Sequence, residues 1–279
     1  MRVGISADST CDLSPELYRN LNVICAPLSV IIGEKVLHDS VDVTPRDIFA
    51  AVGAGRTVTT AAVNEFEYAA LFGKMLTEYD EVVHICISSS MSSCFRSACA
   101  AAEKTGRVHV VDSANLSTGT GLLVMKAVGM AAAGESGAEI AKALENMRDK
   151  VDASFTVQDI DYLRRGGRCG SLEAAGAKLL HIRPSIEVRE GAMYAGKKYR
   201  GSTEHYLKHY IEDRLENPEE IDFTRAFITH SPCEEGMVRF AMDQVASYGL
   251  FRELIDTTAG CSVCTHCGPN TLGLLFMRK

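Results

Sequence analysis

Four side chains able to bind a soft metal fall within seven residues, Cys261-Ser-Val-Cys264-Thr-His266-Cys267. Structural zinc sites draw ligand pairs from separate segments, because one short extended stretch cannot aim four side chains at a tetrahedral centre. No second Cys-x-x-Cys lies elsewhere in the chain. The expectation is therefore no metal, with small buried thiols near an inter-domain loop, and a Cys/His metal-binding module at Cys261–Cys267 is the alternative. A second cluster, Ser88-Ser-Ser-Met-Ser92-Ser93-Cys94, follows an apolar run and precedes a helical pattern. Hydroxyls and free backbone N–H groups there suit a carboxylate or phosphate, and equally suit a simple N-cap. A serine nucleophile lacks both a Gly-x-Ser-x-Gly elbow and a base assigned by sequence. Thr57-Val-Thr59-Thr60-Ala-Ala-Val-Asn64 offers further hydroxyls ahead of a helix. Leu163-Arg-Arg-Gly166-Gly167-Arg168 has the glycines and cations of a helix C-terminus, and three arginines in five residues also form a docking charge. Gly191-Ala-Met-Tyr-Ala-Gly196-Lys197-Lys198 approaches a P-loop but ends in Lys where magnesium needs a hydroxyl, within a hairpin pattern. Gly119-Thr-Gly121 is a fragment of a dinucleotide fingerprint, better read as a tight strand-to-helix turn.

Positioning these groups requires elements whose signatures are visible. Val3–Ala7, Val23–Ile32, Glu81–Ser88 and Val108–Asp112 read as buried strands, the last two being near-continuous β-branched runs of the parallel kind. Thr44-Pro45 with Asp47, Asn64 with Glu67, and Ser136 with Glu139 mark helix starts between them. The alternation predicts a doubly wound, mostly parallel sheet with its binding edge at the strand C-termini. Later strands fall at Ala153–Val157, Ser185–Arg189, Ala192–Tyr199, Arg225–Thr229 and Thr271–Met277, with a hairpin turn at Glu190-Gly191. Helices are expected over Ser202–Leu215 and Glu234–Tyr248, the second entered by Ser231-Pro232. The fold class is α/β: an N-terminal parallel-sheet domain over 1–150 and a C-terminal α+β domain with a mixed sheet over 151–279.

Composition narrows the function classes. The 279 residues carry 29 Lys and Arg against 36 Asp and Glu, a net charge of −7 without a basic block. That balance excludes nucleic acid and acidic membranes as expected partners. The longest apolar stretch, Gly121–Ala133, holds Lys126 and falls short of the roughly 20 residues of a membrane span. No secretory h-region opens the chain, so a cytoplasmic location and ten reduced cysteines are expected.

The ordered set of segments resembles the DegV family from end to end. Asp8-Ser-Thr-Cys-Asp12-Leu13 is similar to its Asp-Ser-Thr-x-Asp-Leu signature, Ser88–Ser92 to its Ser-Ser-x-Leu-Ser, and Val111-Asp112-Ser113 to its Val-Asp-Ser. Leu163–Arg168 matches Leu-x-x-Gly-Gly-Arg, and Ile182–Ile186 with Gly191, then His266–Gly273, complete the series. Two positions depart: Ser93-Cys94 stands for the usual Gly-Thr, and Thr59-Thr60-Ala61-Ala62 for Thr-Ser-x-Pro.

The resemblance implies two α/β domains with a fatty acid buried between them. It implies a non-catalytic acyl-binding subunit that presents the carboxylate to a separate fatty acid kinase for acyl-phosphate formation, with no cofactor. The family's carboxylate-binding hydroxyls fall on Thr60, with Thr59 as the alternative register, and on Ser92; its histidine falls on His266. Its partner-facing arginines fall on Arg168 and Arg200. Each buried methylene contributes about 0.8 kcal/mol, so the acyl chain would supply most of the affinity and the hydroxyls and imidazole the orientation. The enzyme alternative is a hydrolase or acyltransferase pairing Ser92 with His266 as nucleophile and base.

Overall fold

The computed structural model describes residues 1–168 and 182–279. Along the first part run β1 (Val3–Asp8), α1 (Pro15–Asn20), β2 (Ile24–Ala26), β3 (Ser29–Ile32), β4 (Lys35–His38) and α2 (Pro45–Gly53). β5 (Val58–Ala61), α3 (Glu65–Met75), β6 (Glu81–Cys86), α4 (Cys94–Ala102), β7 (Val108–Asp112), α5 (Ser117–Ala132) and α6 (Gly137–Met147) follow. Thr44, Asn64 and Ser136 form the capping boxes that their spacing predicts, each reciprocated by the acidic residue three positions on. Four strands make a parallel sheet in the order β2-β1-β6-β7. Strand order reverses between β1 and β6, so the loops after them, Ser9–Leu13 and Ile87–Ser93, leave a crevice at the sheet's C-terminal edge. The expected strand Val23–Ile32 is two strands in two sheets. Pro27, which has no N–H to donate, separates them, and β3 joins an antiparallel sheet β4-β3-β5 that the sequence reading did not anticipate.

The later part contains β8 (Val151–Thr156), α7 (Asp161–Arg165), β9 (Ile182–Arg189), β10 (Ala192–Arg200), α8 (Thr203–Arg214) and β11 (Ile221–His230). Then come α9 (Met237–Ala246), β12 (Glu253–Thr258), α10 (Cys261–Cys267) and β13 (Leu272–Arg278). The strands form a mixed sheet, β10-β9-β8-β13-β11-β12, in which β11–β12 is the parallel pair. Glu190 and Gly191 both take positive φ, 50° and 76°, which gives the hairpin its twist-matched turn. The tip of that hairpin docks on the first part, where Ser88 Oγ donates to the Gly191 carbonyl at 2.6 Å. Three expectations need correction. Ser231 does not cap α9: its backbone and hydroxyl are committed to Thr271, and the helix begins after Gly236. The turn into α5 is made by Ala114 and Ser117 at positive φ, with Gly119 and Gly121 inside the helix. Cys261–Cys267 is a helix and not an extended stretch.

The apolar stretch that is too short for a membrane is α5, buried between the two larger sheets, and no helix among the described residues is long and apolar enough to span one. Its Leu122, Leu123 and Val124 share one continuous core with Ile5 and Val83 of the parallel sheet and Phe155, Ile186 and Leu275 of the mixed sheet. β13 alternates accordingly. Leu275 and Met277 face that core, while Leu272, Leu274 and Phe276 face a second core under α8 and α9.

α10 is tied to the first part by two buried carboxyl groups. Asp12 Oδ1 accepts from Gly260 N at 2.8 Å; Asp39 Oδ1 accepts from Cys261 N at 2.6 Å and its Oδ2 from Ser262 N at 3.2 Å. Ser9 and Ser117 hydroxyls hold the same carboxyl groups from behind. The first turn of a helix has free N–H groups and a positive dipole end, so this is where an acid is most easily buried. Asp39→Ala is expected to strand Cys261 N, Ser262 N and Ser9 Oγ and to lower the unfolding free energy by about 3 to 5 kcal/mol in urea titrations, with Asp39→Asn costing less. A loss below about 1 kcal/mol would show that the cap does not hold α10.

Burial pushes the Asp12 carboxyl up to about 8, against the pull of Ser117 and Gly260. The folded chain therefore keeps a proton that the unfolded chain releases near its ordinary value, and this site's contribution to stability falls as pH rises from about 4 to 8. Asp12→Asn removes that titration, so its stability relative to the native chain should increase across this window. A pH-independent difference would refute the assignment.

Candidate functional site

A cavity opens at the crevice between the β1 and β6 loops. Its wall is apolar at Leu28, Ile87, Leu116, Leu163, Met193 and Val263, and polar at Thr10, Thr60, Ser92, Ser262 and His266. The polar residues come from four places in the chain. Thr10 lies in the turn after β1, Thr60 on β5, Ser92 in the loop after β6, and Ser262 and His266 on α10.

Within the wall, Thr60 Oγ1 and His266 Nε2 are 2.8 Å apart, although 206 residues separate them. β5 pairs with β3 in the register Thr60 to Val30 and Thr59 to Ile31, and alternation sends Thr59 to the exposed face. The Thr60 register is thus the one that reaches the histidine. His266 Nδ1 is buried with no hydrogen-bond partner. It lies against Gly166, where an added Cβ would stand 2.0 Å from it. The Gly166-Gly167 pair therefore divides two tasks: Gly167 takes the left-handed conformation after α7, at φ +67°, and Gly166 clears room for the imidazole. Burial, with the Arg168 guanidinium adding to it, holds His266 down to about 4, so the ring is neutral near pH 7. The tautomer that leaves no buried donor unpaired carries its proton on Nε2 and donates to Thr60, which frees the Thr60 hydroxyl proton for another acceptor.

Ser92 is on the same wall, where its Oγ accepts from Cys94 N at 3.2 Å and lies 3.2 Å from Cys94 Sγ. With one His266 nitrogen on Thr60 and the other against Gly166, the nucleophile–base pair of the hydrolase alternative is not formed. Arg168 stands exposed at the rim, its guanidinium donating to the carbonyls of Gly166 at 2.6 Å and Met91 at 3.3 Å, and it is the one charged residue among the described residues of the wall. Arg200 ends β10 on the exposed surface, away from the cavity.

The three cysteines of Cys261–Cys267 are buried. Cys261 donates to the Val43 carbonyl and Cys264 to that of Ala259; burial pushes Cys261 and Cys267 up to about 12 and Cys264 well above the ordinary range. The nine described cysteines are free, and Cys169 lies outside the described residues. Among the described residues the one group close enough to share an ion is Asp8, His84 and Cys86. Two of those groups are engaged within the protein: Asp8 accepts from Tyr68, His84 and Ile87 N, and His84 Nδ1 meets Ser6 Oγ.

Thr10 and Ser262 were not singled out by sequence reasoning. Thr10 sat inside the Asp8–Asp12 signature without a separate role, and Ser262 was masked by the cysteines around it. Their signal is structural: Thr10 Oγ1 and Ser262 Oγ are buried without a partner, as is His266 Nδ1.

The DegV family model matches residues 2–279. A DegV domain-containing protein of Deinococcus radiodurans is 33% identical over 281 residues, covering 98% of each chain. A Thermus thermophilus DegV family protein, described by its fatty acid binding, superposes with a TM-score of 0.89 at 30% identity over 100% of both chains. DegV of Bacillus subtilis, described as a fatty acid binding protein, gives 0.86 at 26% identity over 100% of both chains. A stearic acid-binding protein of Eubacterium ventriosum gives 0.85 at 26% identity, covering 99% of this chain and 98% of its own. The sequence signatures, the sheet order and the full-length match agree, and the chain belongs to the DegV family.

Proposed function

We propose that this protein binds a fatty acid, with the acyl chain against Leu28, Ile87, Leu116 and Met193 and the carboxylate at Thr60 and Ser92 below the Arg168 rim. The observation that carries this reading is the pair of unpartnered buried hydroxyls on Thr10 and Ser262, which lie in one wall with Thr60 and Ser92 and beside its apolar residues. Native interiors leave few such atoms unpaired, and a small oxyanion bearing an apolar tail suits both halves of that surface. The fatty-acid-binding relatives support the same ligand class. The family resemblance adds the finer reading. A cytoplasmic carrier of two domains divided near residue 150, with no catalytic step of its own, offers the carboxylate to a separate fatty acid kinase, and Arg168 and Arg200 face that partner.

Solvent extraction of the purified protein followed by lipid mass spectrometry is expected to release a long-chain fatty acid. Ser92→Ala and His266→Ala should each weaken palmitate binding by about 1 to 3 kcal/mol, some 5- to 150-fold, because each removes one hydrogen bond from the head group or its support. Acyl-phosphate formation with a fatty acid kinase and saturating lipid should fall further, since a displaced carboxylate no longer meets the phosphoryl donor in line. Unchanged affinity and unchanged coupling in both variants would refute the head-group assignment.

Gly166→Ala should act through the imidazole. Its methyl group must displace the ring, so palmitate affinity is expected to drop about as far as in His266→Ala. In the His266→Ala background, where that space is vacated, the same substitution should add little. Additive losses would mean that Gly166 supports something other than His266.

A further inference from the structure

A separate cleft of about 470 Å³ opens where the start of β8 and the end of β9 meet the segments before α5 and after α6. Four arginines line it, Arg148 from the first part and Arg189, Arg214 and Arg278 from the later part. Two of its acids are engaged: Asp152 accepts from both Arg214 and Arg278, and Glu187 accepts from Arg189 and lies 3.6 Å from Arg214. Arg278 also donates through Nη1 to Glu220, outside the wall. The other two acids, Asp149 and Glu190, are exposed. Arg148 makes no ion pair among the described residues, and its Nη1 donates to the Asp112 carbonyl at 3.1 Å. The Nε–H groups of Arg148 and Arg214 are both buried with no acceptor. A guanidinium cannot shed its proton to escape this, so each group calls for an acceptor that the chain does not supply. Water would complete the hydrogen bonds but leave the charge of Arg148 unanswered. Burial and the neighbouring Arg278 pull Arg214 down to about 10, the direction a cation takes when another cation lies beside it.

We propose that this cleft binds a small oxyanion, a carboxylate or a phosphate, between the two parts of the protein. Guanidinium N–H groups recognise both classes through charge-assisted hydrogen bonds. The two arginines with free Nε–H groups are already held, Arg214 by Asp152 and Arg148 by the Asp112 carbonyl, so little side-chain freedom is lost when an anion arrives. The aliphatic groups of the wall are short ones, Ala114, Val151, Ala153 and Val188, which suits a polar metabolite and offers no channel for an acyl tail. The cleft ends at Arg189 and Glu190, beside the turn that docks on Ser88, and Met193 of the same hairpin lines the apolar cavity. An anion accepting from Arg148 and Arg214 therefore ties the first part to the sheet that carries this hairpin. The site itself needs no lipid.

The test titrates the full chain with citrate and, separately, with inorganic phosphate, at constant ionic strength in a buffer free of other oxyanions. Calorimetry measures binding, and NMR follows the arginine Nε–H signals. Binding of citrate alone assigns the cleft to carboxylates, and binding of phosphate alone assigns it to phosphates. In either case the Nε–H signals of Arg148 and Arg214 should move downfield with the midpoint seen by calorimetry, as expected when a free donor gains a charged acceptor. Arg148→Gln should weaken that binding about ten-fold or more, the usual loss for a hydrogen bond to a charged group. Arg148→Lys should recover only part of it, because the charge returns without the fork. Should neither variant fold, the two signals in the native chain decide alone. Binding of neither probe would overturn the proposal. So would binding that leaves both Nε–H signals in place and survives Arg148→Gln, since the anion would then sit elsewhere on the chain.

Discussion

Two carboxyl groups from the first 40 residues, those of Asp12 and Asp39, close the N-terminus of a seven-residue helix near the end of the chain. A helix this short has little stability of its own, since nucleation costs more than two turns of hydrogen bonds return. Its orientation therefore comes from what receives its first N–H groups. Ser262, Val263, His266 and Cys267 reach the cavity wall because that anchor points the helix toward the crevice of the parallel sheet. The Asp8–Asp12 signature thereby acquires distinct physical tasks: Asp8 ties Tyr68 and His84 into the sheet, Ser9 supports Asp39, Thr10 enters the cavity, and Asp12 caps α10.

The fold was legible where local chemistry decides it. The β-branched runs gave the parallel strands, and three capping boxes gave helix starts to the residue, because both signals act over a few positions. What escaped depends on distant partners. Thr57–Asn64 looked like a hydroxyl cluster before a helix, whereas Val58–Ala61 becomes a strand only because β3 is there to receive it. β12, Glu253–Thr258, mixes acid and hydroxyl residues with two aliphatics and is held by the single neighbour β11. Cys261–Cys267 shows no helical propensity pattern, and its helix follows from the capping acids.

The candidate site divides in the same way. Thr60, Ser92 and His266 could be proposed together through the family blocks, but nothing in local spacing shows that Thr60 meets His266 while Thr59 faces outward. Strand register settles that. The role of Gly166 was equally hidden, since a glycine after a helix has a sufficient local explanation in its backbone freedom, and the ring packed on it comes from 100 residues further on. The resulting head-group site is electrostatically mild. A neutral imidazole and hydroxyls orient a charge without a fixed counter-ion inside, and the cations wait outside at the rim. A carboxylate bound there as proposed would be held in place without its nucleophilic oxygen being neutralised.

The placement of α5 has a kinetic consequence. Because ten of the first eleven residues of this helix are buried and both larger sheets pack on it, the two parts of the protein cannot swing apart as rigid bodies without wetting that buried length. For an acyl chain bound as proposed, hinge opening is thereby closed as a route. Exchange of the proposed lipid would then proceed through fraying of the surface segments around the crevice, a local event of much lower free energy than unfolding. On the proposed reading, residence time would then be set by those loops and not by the strength of the scaffold, so durability of the protein and speed of release are separable.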